Sequence, residues 1–525
     1  MLSRRAFLAG SSALTITAGS HIEVRAQGGG VRRSARTMSA NDADLAAYSR
    51  AVAAMKALPA SDPRNWNRFA SIHASFCPHG NWYFLPWHRA YLVSLERICR
   101  DLSGKPDFAL PYWDWSLDRQ LPAAFTAGSP QSNPLNHRRT GSLTITDDMT
   151  GPAVMSRIMN SPDFEAFGSS RPRGQNDASS RWQRRMGSKT ELEFNPHDGI
   201  HQSVGGDMGQ VPSASRDPIF YLHHANIDRL WSAWNARGNE NSAEAMWRNT
   251  AFNGNFPQWN VAVSDLLSTG QLGYRYDNER GPFAADVNVE RVAAAAAQSR
   301  SMYGHLESYR RFDSDSLPRG ARGAQRIALS GGGAWHIACA ESSDTATRDR
   351  PVSIPVPFGR AIGDYIKADA LASTRLYTNG SDERQCVWAV LRDIEPPKDP
   401  KTRVRVYLNR EGLLPNTSIS DPHYVTSLSF FGGEHMQHAM DSSSPMDHHA
   451  QHNMSSMSSS SMSSPSSTPV AGGCATVDLT AVLARLSGTR YFRNDRLVVQ
   501  LMPVCPGGDS AGTTMRARRV EVAVI

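Results

Sequence analysis

Three of the chain's 17 histidines, His73, His79 and His88, fall in the stretch IHASFCPHGNWYFLPWHR, with Cys77 among them. A second group lies further along: His197 and His201 in NPHDGIH, and His223 and His224 in DPIFYLHHANIDR. Imidazoles four apart on a helix project from one face, so His197 and His201 can share one ion. No glutamate follows His197, which excludes the H-E-x-x-H pattern of zinc proteases. Cys77 has no second cysteine nearby, so a zinc finger is excluded as well. Two sets of nitrogen ligands, with no carboxylate or thiolate completing them, suit copper or zinc rather than magnesium or calcium. Two such sites facing each other would make a paired-metal centre for a small bridging ligand, dioxygen across two coppers being the obvious candidate. Asp228, one turn beyond His224, is placed to orient a ligand or its neighbour.

Helices must carry these side chains. DPRNWNRFASIHASF predicts a helix with Asp62 as N-cap and Pro63 at the first helical position. LPWHRAYLVSLERICRDLSG puts His88, Leu92, Leu95 and Cys99 on one face. NPHDGIHQSVGG predicts a start at Asn195-Pro196 and a stop at Gly205-Gly206, and DPIFYLHHANIDRLWSAWNARG a start at Asp217-Pro218 and a stop at Gly238. Residues 121–190 are polar and turn-rich, which predicts long loops.

Beyond residue 319 the period becomes two. QCVWAVLRDI, TRVRVYLNREG, YVTSLSFFGG, DRLVVQLMPV and RRVEVAVI read as strands, and short strands at this spacing predict a β-sandwich. Residues 434–473 interrupt them with five histidines and six methionines in a serine-rich background. That composition lacks a core-forming pattern and predicts disorder, while its imidazoles and thioethers suit copper capture. The expected division is an export signal over 1–26, a helical domain over 27–285, a linker over 286–318 and a β-domain over 319–525.

The chain has 525 residues, and its 56 basic and 49 acidic residues leave +7. The excess is small and scattered, with no basic stripe interleaved with aromatics, so nucleic acid is not an expected partner. Arg4 and Arg5, a short apolar stretch and Val24-Arg25-Ala26 resemble a twin-arginine export signal. The twin-arginine machinery is therefore an expected partner, and the protein is expected to be periplasmic or secreted. The apolar stretch is too short to span a membrane, and no membrane association is expected. The six cysteines, Cys77, Cys99, Cys339, Cys386, Cys474 and Cys505, would then meet an oxidising compartment, with pairing left open. No sequence feature sets an oligomeric state.

HGNWYFLPWHRAYLVSLE, residues 79–96, resembles the first copper signature of the tyrosinase, catechol oxidase and polyphenol oxidase family. DPIFYLHHANID, residues 217–228, resembles the second, and PYWDWS and DPHYVTSLSFFG are similar to further segments of relatives with a C-terminal β-domain. The resemblance implies an α-helical di-copper domain with a four-helix-bundle core and long loops, followed by a β-sandwich. It implies that His73, His79 and His88 hold copper A, that His197, His201 and His224 hold copper B, and that His223 is a neighbour. Two copper ions and dioxygen as co-substrate would then oxidise small phenols. Cys77 stands where several relatives join a cysteine to the histidine by a thioether. Glu193, four before His197, stands where a glutamate is thought to help deprotonate the phenol, whose ordinary pKa is near 10.

Two positions depart from the pattern. Asp198 stands where active monophenolases often have asparagine, and Val211 where a bulky aromatic often covers copper A. A smaller side chain there would widen the mouth and admit monophenols, with Phe220, His223 and Asp228 lining or supporting the pocket. The activity is then that of a tyrosinase, against the alternatives of a catechol oxidase without monophenolase activity and a haemocyanin-like oxygen carrier. A zinc hydrolase fits two all-histidine sets poorly. The β-domain resembles one that in some relatives shields the site until removed.

Overall fold

The computed structural model describes residues 30–39, 41–141, 143–161, 164–172, 175, 177–178, 187–256, 259–279, 325–328, 334–360, 363–364, 366, 387–399, 401–431, 473–505 and 513–524. The expected signal over 1–26, the linker over 286–318, Cys386 and nearly all of the 434–473 insertion lie outside them.

The N-terminal part is helical. In chain order come α1 (Ala43–Ala57), α2 (Trp66–Phe76), α3 (Phe84–Ser103), α4 (Asp147–Thr150), α5 (Pro152–Met159), α6 (Phe164–Gly168), α7 (Asp198–Val204), α8 (Ile219–Ala236) and α9 (Ala245–Arg248). The four that carry clustered histidines, α2, α3, α7 and α8, contribute to one core, whose fully buried tryptophans include Trp87, Trp231 and Trp234. Such large rings fill the space between helices, and their N–H groups still need partners. Trp87 donates to Asn255 Oδ1 at 2.8 Å and Trp234 to Ser161 O at 2.6 Å.

Two helix starts differ from expectation. The cap of α2 is Asn65, whose side chain accepts from the N–H groups of Asn67 and Arg68; Asp62 instead accepts from Arg64 in the preceding turn. The helical winding before α7 begins ahead of Asn195, in a π-helical turn over Glu193–His197 with Pro196 inside it. Proline has no N–H to give, and the wider turn accommodates its ring.

The expectation for Asp228 needs correction. Among the described residues its carboxylate bonds to no histidine. It accepts from Arg89 Nε at 2.5 Å, Arg32 Nη1 at 3.1 Å, Tyr274 OH at 2.7 Å and Tyr276 OH at 2.6 Å. Arg32 ends strand β1 (Gly30–Arg32), and the tyrosines bound β2 (Tyr274–Tyr276), which pairs with β1 in parallel. Asp228 therefore staples both ends of the helical domain to α8. The cationic partners outweigh burial and hold its carboxyl below the usual range.

The C-terminal part is two sheets packed face to face. Its elements are β3 (Gln325–Ala328), β4 (Ala334–Glu341), β5 (Val352–Pro357), β6 (Val387–Glu395), β7 (Arg403–Leu408), β8 (Tyr424–Leu428), β9 (Gly473–Asp478), α10 (Thr480–Leu486), β10 (Arg496–Val504) and β11 (Arg516–Val524). One sheet runs β5-β10-β7-β8 and the other β3-β4-β11-β6-β9, with antiparallel pairing throughout. Val356, Leu391, Val406, Leu428, Val499 and Val522 are among the residues filling the space between them. All five expected strands form. β5 escaped expectation because Pro355 and Pro357 argue against a strand; both stand on the exposed face of an intact alternation, at a sheet edge where proline is tolerated.

The two domains exchange aromatic rings. Phe194, just ahead of α7, is buried in the core of the β-sandwich, and Phe431, just beyond β8, is buried in the helical core. Polar contacts flank the exchange. Arg403 Nη1 donates to Asp148 Oδ1 at 2.8 Å, and Thr426 Oγ1 donates to Glu191 Oε1 at 2.8 Å.

Candidate metal centre

The first half of the site is built by α2, α3 and the loop between them. His73 sits in the last turn of α2 and His88 in the second turn of α3. His79 lies on the loop, before Gly80, whose φ of 70° is in the left-handed region that favours glycine. The second half comes from the turn before α7, from α7 itself and from α8, which supply His197, His201, His223 and His224. Within each of these two groups the ligand atoms lie within 4.8 Å of one another. The halves face each other: the His88 and His224 rings stack at 4.3 Å and 9°.

The imidazoles suit a metal. Among the described residues the Nε2 atoms of His73, His79, His88, His197 and His223 are buried without a hydrogen-bond partner. Burial pushes every one of these histidines down, His73 and His223 to about 3, so they are neutral and keep a lone pair at physiological pH. A row of buried, neutral, unpaired ring nitrogens is costly unless a cation completes it.

The far nitrogens decide which lone pair is available. His73 Nδ1 donates to Val211 O at 3.0 Å, His88 Nδ1 to Phe84 O at 2.7 Å and His201 Nδ1 to Met208 O at 2.8 Å. A carbonyl only accepts, so the proton is on Nδ1 and Nε2 is free to bind. His197 Nδ1 faces Asp198 Oδ1 at 2.8 Å in the same sense. His223 is reversed. Its Nδ1 accepts from Trp115 Nε1 at 3.1 Å, and an indole only donates, so the neutral ring carries its proton on Nε2. His224 Nε2 stands 3.3 Å from His201 Nε2, both aimed at one point. Position alone groups four histidines on this side, whereas protonation separates His223 from His197 and His201; among the described residues no hydrogen bond fixes the proton of His224, whose Nδ1 is buried without a partner.

Aromatic rings wall the site. Phe84 lies 4.7 Å from His197, and Phe220 lies 4.2 Å from His224 and 4.8 Å from His73. Val211 is half-buried and reaches the site through its carbonyl on His73. Cys77 Sγ is 3.5 Å from His79 Nδ1.

Glu193 is fully buried, accepting from Gly80 N and Ser169 Oγ, each at 2.6 Å. Burial drives its carboxyl upward against the pull of Lys189. Burial likewise pushes Asp198 up to about 7, with Lys189 opposing and Glu193 adding to the shift.

Two residues of the site were not anticipated from sequence. The Phe431 ring stacks on His201 at 4.0 Å and 14° and lies 5.8 Å from both His79 and His197. Lys189 Nζ is 2.7 Å from Asp198 Oδ2 and 3.8 Å from Glu193 Oε1. The basic stretch RWQRRMGS before Lys189 gives no signal for it. Phe431 stands in the stretch similar to polyphenol oxidase segments, which was the available clue.

The family profile for the common central domain of tyrosinase matches residues 63–145 and 123–237. A tyrosinase of Hahella sp. is 31% identical over 353 residues, covering 55% of this chain and 73% of that protein. The chloroplastic polyphenol oxidase of Malus domestica is 27% identical over 416 residues, covering 70% of this chain and 63% of the relative. The fold is shared with a latent aurone synthase, a polyphenol oxidase, at a TM-score of 0.59 and 20% identity, covering 95% of this chain and 91% of the other. A latent apple tyrosinase superposes with a TM-score of 0.56 at 20% identity, covering 95% and 97%. The chain belongs to the tyrosinase family of copper-dependent oxidoreductases, whose centre holds two coppers and takes dioxygen as co-substrate.

Proposed function

We propose that the chain oxidises o-diphenols to o-quinones, and ortho-hydroxylates monophenols, with His73, His79 and His88 on one copper and His197, His201 and His224 on the other. The observation that carries this is the convergence of buried imidazole nitrogens in two facing histidine groups, with the proton of His73, His88 and His201 held on Nδ1 by a carbonyl so that Nε2 is free. When bound, the copper pair supplies the electron transfer between phenol and dioxygen.

The chain's residues supply the rest. Phe84 and Phe220 exclude water around the ligands and give a flat ring apolar walls. Glu193, fixed by Gly80 and Ser169, is the group placed to take up the phenol proton; a buried carboxyl pushed upward is a better base than an exposed one. Val211, whose carbonyl backs His73, carries only a small side chain, which favours entry of monophenols. Cys77 and His79 are close enough to be joined by a thioether, which would tether the one ligand that sits on a loop. A peptide mass lighter by two hydrogens is expected, and an unmodified mass counts against the bond.

Phe431 occupies the space over His201 where a substrate ring would lie, so the full-length chain is proposed to be latent. Export rests on Arg4 and Arg5; no helix among the described residues is long and apolar enough to cross a membrane.

The test is metal analysis with steady-state oxidation of catechol and tyramine, before and after limited proteolysis. Two coppers per chain and turnover of both substrates that rises on proteolysis are expected. Copper without turnover points to an oxygen carrier, and zinc to a hydrolase. Catechol turnover without tyramine turnover removes the monophenolase part alone.

A further inference from the structure

Lys189 is a buried cation that none of the chemistry proposed so far employs; it is 5% exposed. Its ammonium holds Asp198 Oδ2 at 2.7 Å, while Asp198 Oδ1 faces His197 Nδ1 at 2.8 Å. A polar chain thus runs from Lys189 through Asp198 to a ligand of copper B. His73, His88 and His201 have carbonyls behind them instead. Glu193 stands on the other side of the ammonium, at 3.8 Å. The main chain of Lys189 is engaged separately, with its N–H on Cys474 O and its C=O on Thr476 N–H, both at 3.4 Å.

We propose that Lys189 is a positioning residue of copper B, cancelling the charge of Asp198 and fixing its carboxylate so that His197 turns Nε2 to the metal. A carboxylate behind a ligating imidazole fixes the ring's orientation and strengthens it as a donor. Here that carboxylate lies close to a second one, Glu193, with both buried. Among the described residues Lys189 is the cation paired with both, and removing it leaves Asp198 Oδ2 with only the neutral Phe431 N–H at 3.2 Å beside a second buried carboxyl. The ammonium supplies the missing charge and a directed hydrogen bond. The alternative, that Lys189 only docks β9, uses main-chain groups, so replacing the side chain separates the two roles. The proposal rests on the assignment of His197, His201 and His224 to one copper.

The experiment loads the full chain and its variants with Cu(II), challenges them with a graded chelator and counts copper per chain; the metal-free forms are melted in parallel. The unaltered chain is expected to hold two coppers. Lys189→Met should release one of them at about tenfold lower chelator concentration and leave the other unchanged. Lys189→Arg should hold both. Lys189→Met combined with Asp198→Asn should recover the weakened copper, because an amide oxygen accepts from His197 with no charge to cancel. Lys189→Met holding both coppers as tightly as the unaltered chain overturns the proposal, as does a double variant no better than Lys189→Met. If Lys189→Met does not fold, the double variant is compared with Asp198→Asn alone: equal copper retention supports the proposal, and weaker retention overturns it. An unaltered chain that retains no copper overturns instead the copper assignment beneath it.

Discussion

The two halves of the metal centre are built with different physics. In the group of His73, His79 and His88, proposed to hold copper A, His73 and His88 are backed by main-chain carbonyls, and His79 by a cysteine sulfur. These partners are neutral and local to the helical domain. In the group proposed to hold copper B, His201 also has a carbonyl behind it but lies under the ring of Phe431, and His197 is backed by a carboxylate that is itself paired with a buried lysine. Among the described residues the C-terminal domain reaches this side with hydrogen bonds: the Phe431 N–H donates to Asp198 Oδ2 at 3.2 Å, and β9 clasps Lys189. One half is therefore a fixed frame, and the other is where charge and the second domain can act. Both chemical tuning and latency are expected to map to copper B.

The largest effect that can break this comparison lies at the His-His step. His224→Ala should lose one copper and essentially all catechol turnover. His223→Ala should keep both coppers, because its Nδ1 is occupied by a Trp115 donor and its proton sits on Nε2. Copper counts per chain decide it, and loss of a copper from His223→Ala would show that position outweighs protonation.

Arg32→Met asks whether Asp228 belongs to the metal or to the frame. Arg32 is fully buried against Asp228 and Glu96. Removing one partner of a buried pair costs about 3–5 kcal/mol. The melting temperature should fall, while the metal count of folded protein stays at two. A lost copper would return Asp228 to the ligand sphere.

The histidines were legible because their chemistry is local: a spacing of four on a helix and a multi-residue signature need no tertiary knowledge. Asp228 misled because one helical turn from His224 is adjacency only along the helix; Arg32 and the β2 tyrosines, distant in sequence, compete for it and win on charge. Lys189 reads as an ordinary polar residue in SKTELEF, since its two carboxylate partners assemble only when the chain winds into the π-helical turn. Phe431 reads as the last apolar residue of a strand. What it covers depends on how one domain docks on another, which no periodicity records. β5 was hidden by its prolines, which mark an edge only once the sheet is known.

The docking itself can be weakened from the far side of copper B. Burial pushes Asp148 up, but Arg403, Thr146, Arg405 and Ser427 outweigh it and hold the carboxyl below its ordinary value. A depressed folded-state pKa means that the stabilisation is complete above the ordinary carboxyl value, about 3.9, and is lost as pH falls through the lower folded value. This pair therefore leaves docking unchanged between about pH 5 and 8 and loosens it only in stronger acid. Arg403→Met should do at neutral pH what acid does, costing about 3 kcal/mol, the low end for a broken buried pair, because Arg405 stays 3.8 Å away. Faster cleavage between the domains by a protease at pH 7 is the expected readout. Unchanged cleavage would leave the aromatic exchange as the main docking force.

The smallest effect isolates the plug. Phe431→Ala removes the ring that stacks on His201 but keeps the backbone N–H on Asp198. An aromatic stack is worth about 0.5–1.5 kcal/mol beyond the area it buries, so catechol turnover by the intact chain should rise roughly 2- to 12-fold. Proteolysis should still raise it further, because the backbone past β8 remains over copper B and β9 remains on Lys189. If Phe431→Ala alone reaches the activity of the cleaved protein, latency is a matter of one ring, and the polar contacts on Asp198 and Lys189 serve the metal only. If it changes nothing, the obstruction lies in the backbone, and the difference between the two halves of the site is set by hydrogen bonds rather than by stacking.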